Sequence, residues 1–317
     1  MLNNYKYFLV LAEESNISSA ANKLFISHQY LSKYIKDLEK EYDIKLFERK
    51  PKLTLTAAGH ILYNNLRQIE LLEKNTNSQL SDIKNLKTGI INFGITEGRY
   101  PIIIPKLTKE FKDVYPNIDL VVYNTTSLNM QKMLLDNKID LYLSGTSNIQ
   151  FSDLTFTNFI NEKLFVIISD NMLRTYCQHY PECKMQFKNN GFNFKSFQNI
   201  PFIINKRGLI SREILDNHLK NIGASINCIA ELTNQYIQYH LSADDYAATV
   251  SLTMFLPGII ELNKIKRYDK ESSLLNIFPI EGLNATIPTG IVYRKRTIFP
   301  KYIKDFCNIL KKICLSF

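Results

Sequence analysis

Hydrophobic positions in the first third of the chain recur with a helical period. Between residues 3 and 15, Phe8, Leu11 and Ala12 share one face, which predicts a first helix. The next helix is expected to be capped by Ser18, whose hydroxyl can accept from free N–H groups at a helix start. Its Ala20, Ala21 and Leu24 make a small-residue face against which another helix can pack closely. Ser27 is the expected cap of that following helix. There Leu31, Ile35 and Leu38 recur at i, i+4 and i+7 as one buried stripe, while the opposite arc carries Gln29, Lys33, Lys36 and Lys40. The pair Leu46 and Phe47 should then be buried, and Arg49, Lys50 and Lys52 bracket Pro51 in what reads as a strand–turn–strand wing.

Residues 57–87 lack proline, and their one glycine, Gly59, sits at the start. Leu62, Leu66, Ile69 and Leu72 form a helical stripe, Asn75 to Asn77 interrupt it, and Leu80, Ile83 and Leu86 resume it. A stripe this long on a polar helix needs a partner. A second copy of itself is the simplest one, and the chain's own C-terminal region is the alternative. From Gly89 the texture changes. Strands are predicted at 89–95, 118–123 and 139–144, with helices at 101–115 and 127–137 between them. A second set follows, with strands at 164–169, 202–204 and 247–251 and a helix over 211–221. Late strands near 273–279 and 288–294, then a helix over 300–314, are expected to return to the first sheet. The succession predicts βαβ units and mostly parallel sheets.

Composition narrows the partners. At 317 residues the chain can hold two or three domains, each with its own core. The net charge of +9 favours anionic partners. Residues 23–67 hold nine Lys and Arg against five acids, so an excess of four lies on the small helices and wing. An amphipathic helix, apolar behind and lysine-bearing in front, suits insertion into a major groove. A solvated basic face is the bland alternative, and the basic wing argues against it. No apolar run approaches the roughly 18 residues of a membrane span, and the N-terminus lacks a signal-peptide core. A cytoplasmic protein with five reduced cysteines is expected.

Tyr7 to Glu13, Ser18, Ala20, Ala21, Leu24, Ser27, Leu31, Ser32, Ile35, Leu38, Glu39, Leu46 to Arg49 and Leu55 to Gly59 together carry a family resemblance. Over about sixty residues without a gap, this stretch resembles the N-terminal winged helix-turn-helix of LysR-type transcriptional regulators. Asp43 stands where that family usually has glycine, and aspartate tolerates the left-handed backbone better than most residues. Phe111 to Leu120 and Leu135 to Leu141 look like the first lobe of the family's periplasmic-binding-protein-like effector domain, with Asn137 in a usual glycine position. Ala243 to Ala248 replaces a glycine-rich stretch of the second lobe.

The resemblance implies an α/β multidomain fold. Its parts would be a winged helix-turn-helix over 1–58, a linker and dimerisation helix over 59–88, and a two-lobed α/β effector domain. Lobe one would take 89–165 and 265–317, and lobe two 166–264. The implied function is sequence-specific transcriptional regulation without catalysis or a cofactor. The implied partners are double-stranded promoter or operator DNA, a small-molecule effector, further copies of the chain (homodimer or homotetramer) and RNA polymerase.

For DNA, the resemblance carries over to Gln29, Tyr30, Ser32, Lys33 and Lys36 on the recognition helix and to Arg49 and Lys50 in the wing. Glutamine can pair bidentately with adenine and lysine with guanine, whereas Lys36 and Lys52 suit phosphates. The family often has other residues at His28 and Gln29, so base preference is not inherited. For an effector, open α/β folds bind ligands beyond the C-terminal ends of strands. Thr96, Thr125, Thr126, Ser127, Asn205 and Arg207 fall there, and Arg99 or Arg207 could pair with an acid. The hydroxyl residues could equally be helix caps. Cys177, His179 and Cys183 form a thiol-rich stretch that matches no usual zinc spacing, and a redox pair is the alternative. There is no phosphate-cradling glycine loop, His-Glu-x-x-His or Gly-x-Ser-x-Gly to support an enzyme. A small-molecule-binding module whose helix-turn-helix serves only dimerisation is the remaining alternative; salt-dependent retention on DNA separates the two.

Overall fold

The computed structural model describes residues 4–50, 52–83, 88–96, 98–145, 149–267 and 273–317. The chain divides into two compact units, one of residues 1–86 with 135–137 and 297–300, the other of the remaining chain.

In the N-terminal unit, α1 (Tyr5–Glu14), α2 (Ile17–Lys23) and α3 (His28–Glu41) enclose a core built on Phe8, Leu11, Ala20, Ala21, Leu31, Ile35 and Leu38. A two-stranded wing follows, β1 (Phe47–Glu48) antiparallel to β2 (Thr54–Leu55), with Leu46 and Phe47 buried as expected. The cap of α2 is Asn16, not Ser18. The Asn16 Oδ1 accepts from the Ser18 N–H at 2.9 Å and the Ser19 N–H at 3.0 Å. A capping side chain must come from the extended residue just before the first helical one, and the helix begins at Ile17, two residues earlier than a Ser18 cap would place it. Asp43 takes φ 51°, so the left-handed turn after α3 survives without glycine.

Helix α4 (Ala57–Ile83) runs unbroken through Asn75 to Asn77. Gly59 is required in its first turn, because a Cβ there would run into the Leu46 carbonyl oxygen. Leu66 is buried, and Leu62 and Ile69 pack against the winged core. Leu62, Leu66 and Ile69 of the stripe are therefore covered by the N-terminal domain, a partner not anticipated from the pattern. Ile61, Leu72 and Leu80 remain exposed, and Leu86 lies outside the described residues.

The second unit holds two five-stranded sheets. The first contains β3 (Gly89–Ile95), β4 (Ile118–Asn124), β5 (Leu141–Ser144), β6 (Leu154–Glu162) and a late strand, Ile287–Arg294. Between them run α5 (Tyr100–Val114) and α6 (Ser127–Leu135). The second contains β7 (Leu164–Ser169), β8 (Pro201–Asn205), β9 (Asn227–Leu232), β10 (Ala248–Leu252) and β11 (Leu275–Pro279). Its helices are α7 (Asp170–Tyr176), α8 (Tyr180–Asn190), α9 (Ile210–Ile222), α10 (Gln235–Ala243) and α11 (Leu256–Lys266). With the late strand as β12 and the last helix as α12 (Lys301–Leu315), the orders are β4-β3-β5-β12-β6 and β11-β7-β10-β8-β9.

Two expectations change. The strand at 275–279 edges the second sheet rather than returning to the first. Both sheets are mixed: β12 runs antiparallel to β5 and β6, and β7 antiparallel to β10 and β11. The parallel rule applies to strands delivered by a crossover helix on their own sheet. β7 and β12 instead arrive straight from the other sheet, through Lys163 and through residues 280–286, so nothing obliges them to run parallel.

Candidate functional site

The Ser27 hydroxyl accepts from the Tyr30 N–H at 3.1 Å and starts α3 at His28. Once Leu31, Ile35 and Leu38 are pinned in the core, a period of 3.6 turns His28, Gln29, Lys33, Lys36 and Lys40 to solvent, and all five are exposed. Tyr30 is half-exposed, its ring edge-on to Tyr7 with centroids 6.0 Å apart. Ser32 is only partly exposed and lines a recess with Leu11, Ile17, Ile35, Phe47, Leu53 and Arg49. Of the seven residues carried over for DNA, Gln29, Tyr30, Lys33 and Lys36 thus share the outer face, while Ser32 and Arg49 meet where helix and wing join. Lys50 and the additional phosphate candidate Lys52 are exposed in the wing. Among the described residues, no carboxylate pairs with Lys33, Lys36, Lys50 or Lys52, so their charge is free for an external anion.

Glu39 has a role that the sequence pattern did not reveal. One carboxylate oxygen accepts from the Leu46 and Phe47 N–H groups at 2.9 and 3.1 Å, and the other lies 3.6 Å from the Arg49 guanidinium. This half-buried acid on a lysine-rich helix ties the base of the wing to α3. The available signal was an acid directly after the buried Leu38, at the edge of the apolar stripe rather than on the lysine-bearing arc.

In the second unit, Thr96, Thr125 and Gly145 follow the C-terminal ends of the parallel neighbours β3, β4 and β5. Arg99, just ahead of α5, donates to Glu162 at 2.7 Å and to the Thr289 hydroxyl at 3.3 Å. Glu162 is fully buried, and its second oxygen accepts from the Met254 N–H, 3.4 Å away beyond β10 of the other sheet. The charge of Arg99 is therefore matched inside the protein, at a point where the two lobes meet. Gly145 leaves room for the guanidinium, since a Cβ there would collide with it. Arg99 Nε and Thr96 Oγ1 are buried and have no hydrogen-bond partner among the described residues.

The remaining positions divide. Thr126 accepts from the Asn129 N–H at 3.3 Å, a cap for α6, and Thr125 accepts from the Asn129 side chain at 3.2 Å. The Ser127 hydroxyl lies 3.3 Å from that of Tyr142. Asn205 is buried, donating to Ser211 at 2.7 Å and accepting from Gln238 at 2.8 Å. Arg207 is 80% exposed and 3.9 Å from Glu231. The ordered arginine of this lobe is Arg212, unremarked in the sequence, which donates to the Asn205 carbonyl, Glu231 and Asp216. Cys177 and Cys183 lie side by side, and burial together with Cys183 pushes the Cys177 thiol up to about 12. Among the described residues, no cluster of His, Cys, Asp and Glu is arranged to hold a metal ion, and no helix is long and apolar enough to cross a membrane.

Against this geometry stand the relatives. Residues 2–60 match the family model for bacterial regulatory helix-turn-helix proteins of the lysR family, and residues 84–314 match the LysR substrate binding domain. The HTH-type transcriptional regulator YtlI of Bacillus subtilis is 32% identical over 173 residues, about half of each protein (53% of this chain, 54% of YtlI). A probable RuBisCO transcriptional regulator of Phaeodactylum tricornutum is 26% identical over 98% of this chain and 96% of its own length. Among solved structures, full-length CbnR complexed with its target DNA superposes with a TM-score of 0.52 at 17% identity, covering 97% of this chain and 98% of CbnR. At that identity the likeness is one of fold.

Proposed function

The chain belongs to the LysR family of bacterial helix-turn-helix regulators, and from that premise we propose that it is a sequence-specific DNA-binding transcriptional regulator acting in the cytoplasm. The observation that carries this reading is the outer face of α3. Gln29, Lys33 and Lys36 stand exposed and, among the described residues, without internal partners on a capped helix, held by a buried aliphatic ridge beside a basic wing. Such a helix presents its N-terminal residues to base edges in the major groove. In this reading Gln29, Tyr30 and Lys33 read bases, Ser32 and Arg49 act at the junction of helix and wing, and Lys36, Lys50 and Lys52 neutralise phosphates.

Two copies of the chain would place two such helices on successive grooves of a pseudo-palindromic site. The exposed Ile61, Leu72 and Leu80 on α4 supply the apolar surface for that pairing, as dimer or tetramer. A small-molecule effector is assigned to the end of the first sheet, where Thr96 Oγ1 and Arg99 Nε have no hydrogen-bond partner among the described residues and Thr125 to Ser127 follow the neighbouring strand. An effector that favours one arrangement of the lobes shifts the population, and with it the DNA contact. The protein performs no catalysis in this reading. RNA polymerase is a further partner by family membership.

The test is protection of the DNA flanking its own gene against nuclease, with bulk genomic DNA as competitor. Protection of a discrete site supports the proposal. If no fragment were preferred over the competitor, even with cell extract added to supply effector, the regulator assignment would fall.

A further inference from the structure

Phe25 is the most exposed large apolar side chain among the described residues, at 94%. It sits in the turn between α2 and α3 with φ 55°, the left-handed region that side chains with a Cβ adopt only at a cost. Its N–H donates to the Asn22 carbonyl at 3.1 Å, and the Ile26 N–H donates to the Ala21 carbonyl at 3.1 Å. Leu24 and Ile26, on either side, pack on the core of the N-terminal unit. This pinning of both neighbours throws residue 25 outward. At 94% exposure the ring packs on almost nothing among the described residues, and asparagine or glycine would satisfy the turn with less strain.

The position gives the ring a task. Where a helix-turn-helix docks on duplex DNA, the first helix crosses the backbone and the N-terminus of the second enters the major groove. The turn joining them immediately precedes that N-terminus, and the deoxyribose edges bordering the groove present apolar C–H surface between phosphates. Ser27, two residues on, caps α3, and His28, Gln29 and Lys33 of that helix are exposed as Phe25 is. Lys33 and Lys36 of α3 and Lys50 and Lys52 of the wing, which have no carboxylate partner among the described residues, give this face the charge complement of DNA.

We propose that Phe25 packs on deoxyribose of the strand bordering the groove that α3 enters, a sequence-independent apolar contact added to the ionic ones. It rests on the DNA-binding reading and extends it to a residue outside the base-reading helix.

Phe25→Asn tests it, because asparagine suits the left-handed turn and leaves the fold intact, with a thermal midpoint equal to or above that of the wild type. Fluorescence anisotropy on a random-sequence duplex of about 30 base pairs, repeated across a salt series, gives affinity and its salt slope. The variant is expected to bind about three- to tenfold more weakly at every salt concentration, the loss of one partly buried aromatic contact. Its slope should equal the wild-type slope, because the contact releases no counterion. Lys36→Ala, by contrast, should lower the slope by about one. Phe25→Tyr should restore the wild-type affinity. Unchanged affinity in Phe25→Asn, or an altered slope, overturns the inference while DNA binding stands. A changed sedimentation of the free variant would assign the ring to self-association and also overturn it. Wild-type protein that binds neither this duplex nor genomic fragments removes the underlying reading itself.

Discussion

At the scale of single residues, the clearest division is between side chains whose charge is used inside the protein and those whose charge is left over. Arg99 is matched by Glu162 and Arg212 by Glu231 and Asp216, whereas Lys33 and Lys36 have no such partner among the described residues. Lys33→Ala is expected to weaken binding to a cognate site by about 1–3 kcal/mol and random DNA by less. A gel-shift titration showing equal loss on both would make Lys33 a phosphate contact rather than a reader. Asp170 belongs to the first class. Burial alone would raise its carboxyl, but hydrogen bonds from Lys184, Asn276 and Tyr180, at 2.5, 2.8 and 2.8 Å, outweigh burial and hold it below its ordinary value. A carboxyl with a lower pKa folded than unfolded stabilises the native state above its unfolded value, near 3.9, and loses that contribution as pH falls through the folded value. Asp170→Asn should therefore cost about 1–2 kcal/mol at pH 7 and progressively less below about pH 4. Urea melts of both proteins across that range check it, and a gap that widens in acid would contradict it.

At the scale of elements, α3 was the most legible part of the chain. Its cap Ser27, buried Leu31, Ile35 and Leu38, and exposed lysines all follow from local periodicity. The cap of α2 was harder to place, because Ser18 and Asn16 are both good caps and only the backbone shows which one is extended. The wing depends on a contact that sequence spacing does not signal, the acceptance of two N–H groups by Glu39. Glu39→Ala leaves those donors without their partner and should destabilise the N-terminal unit by about 1–3 kcal/mol. Chemical denaturation followed by tyrosine fluorescence would show it. Little change would mean that water replaces the carboxylate. Strand β6 and helices α7, α8, α10 and α11 escaped the sequence reading. β9 escaped it too: as an edge strand, mostly exposed, it lacks a clear in–out alternation.

At the scale of the whole molecule, the proposed pairing of two copies through α4 can be tested on its exposed residues. Leu72 and Leu80 are 64% and 52% exposed, so replacing both by glutamate should barely move the thermal midpoint of the protomer. The same double substitution is expected to shift sedimentation toward the monomer, because like charges would face each other across the paired helices. Unchanged association would place the interface elsewhere. Local pattern by itself determined the helical N-terminal unit, the long α4 and the alternation of strands and helices from Gly89 on. Periodicity and capping are properties of neighbours in the chain, and here tertiary context agreed with them. Which sheet each late strand joins, which arginine is neutralised, and what covers Leu62, Leu66 and Ile69 of the α4 stripe were decided only by folding. Leu275–Pro279 and Ile287–Arg294 look alike as strands, and the crossing of the chain between lobes sends them to different sheets. Arg99 and Arg207 look alike as candidate anion ligands, and only packing puts a buried carboxylate beside the first and leaves the second in water. Those outcomes rest on contacts between residues far apart in the chain, such as Arg99 with Glu162 and Leu66 with the winged core, which no local spacing encodes.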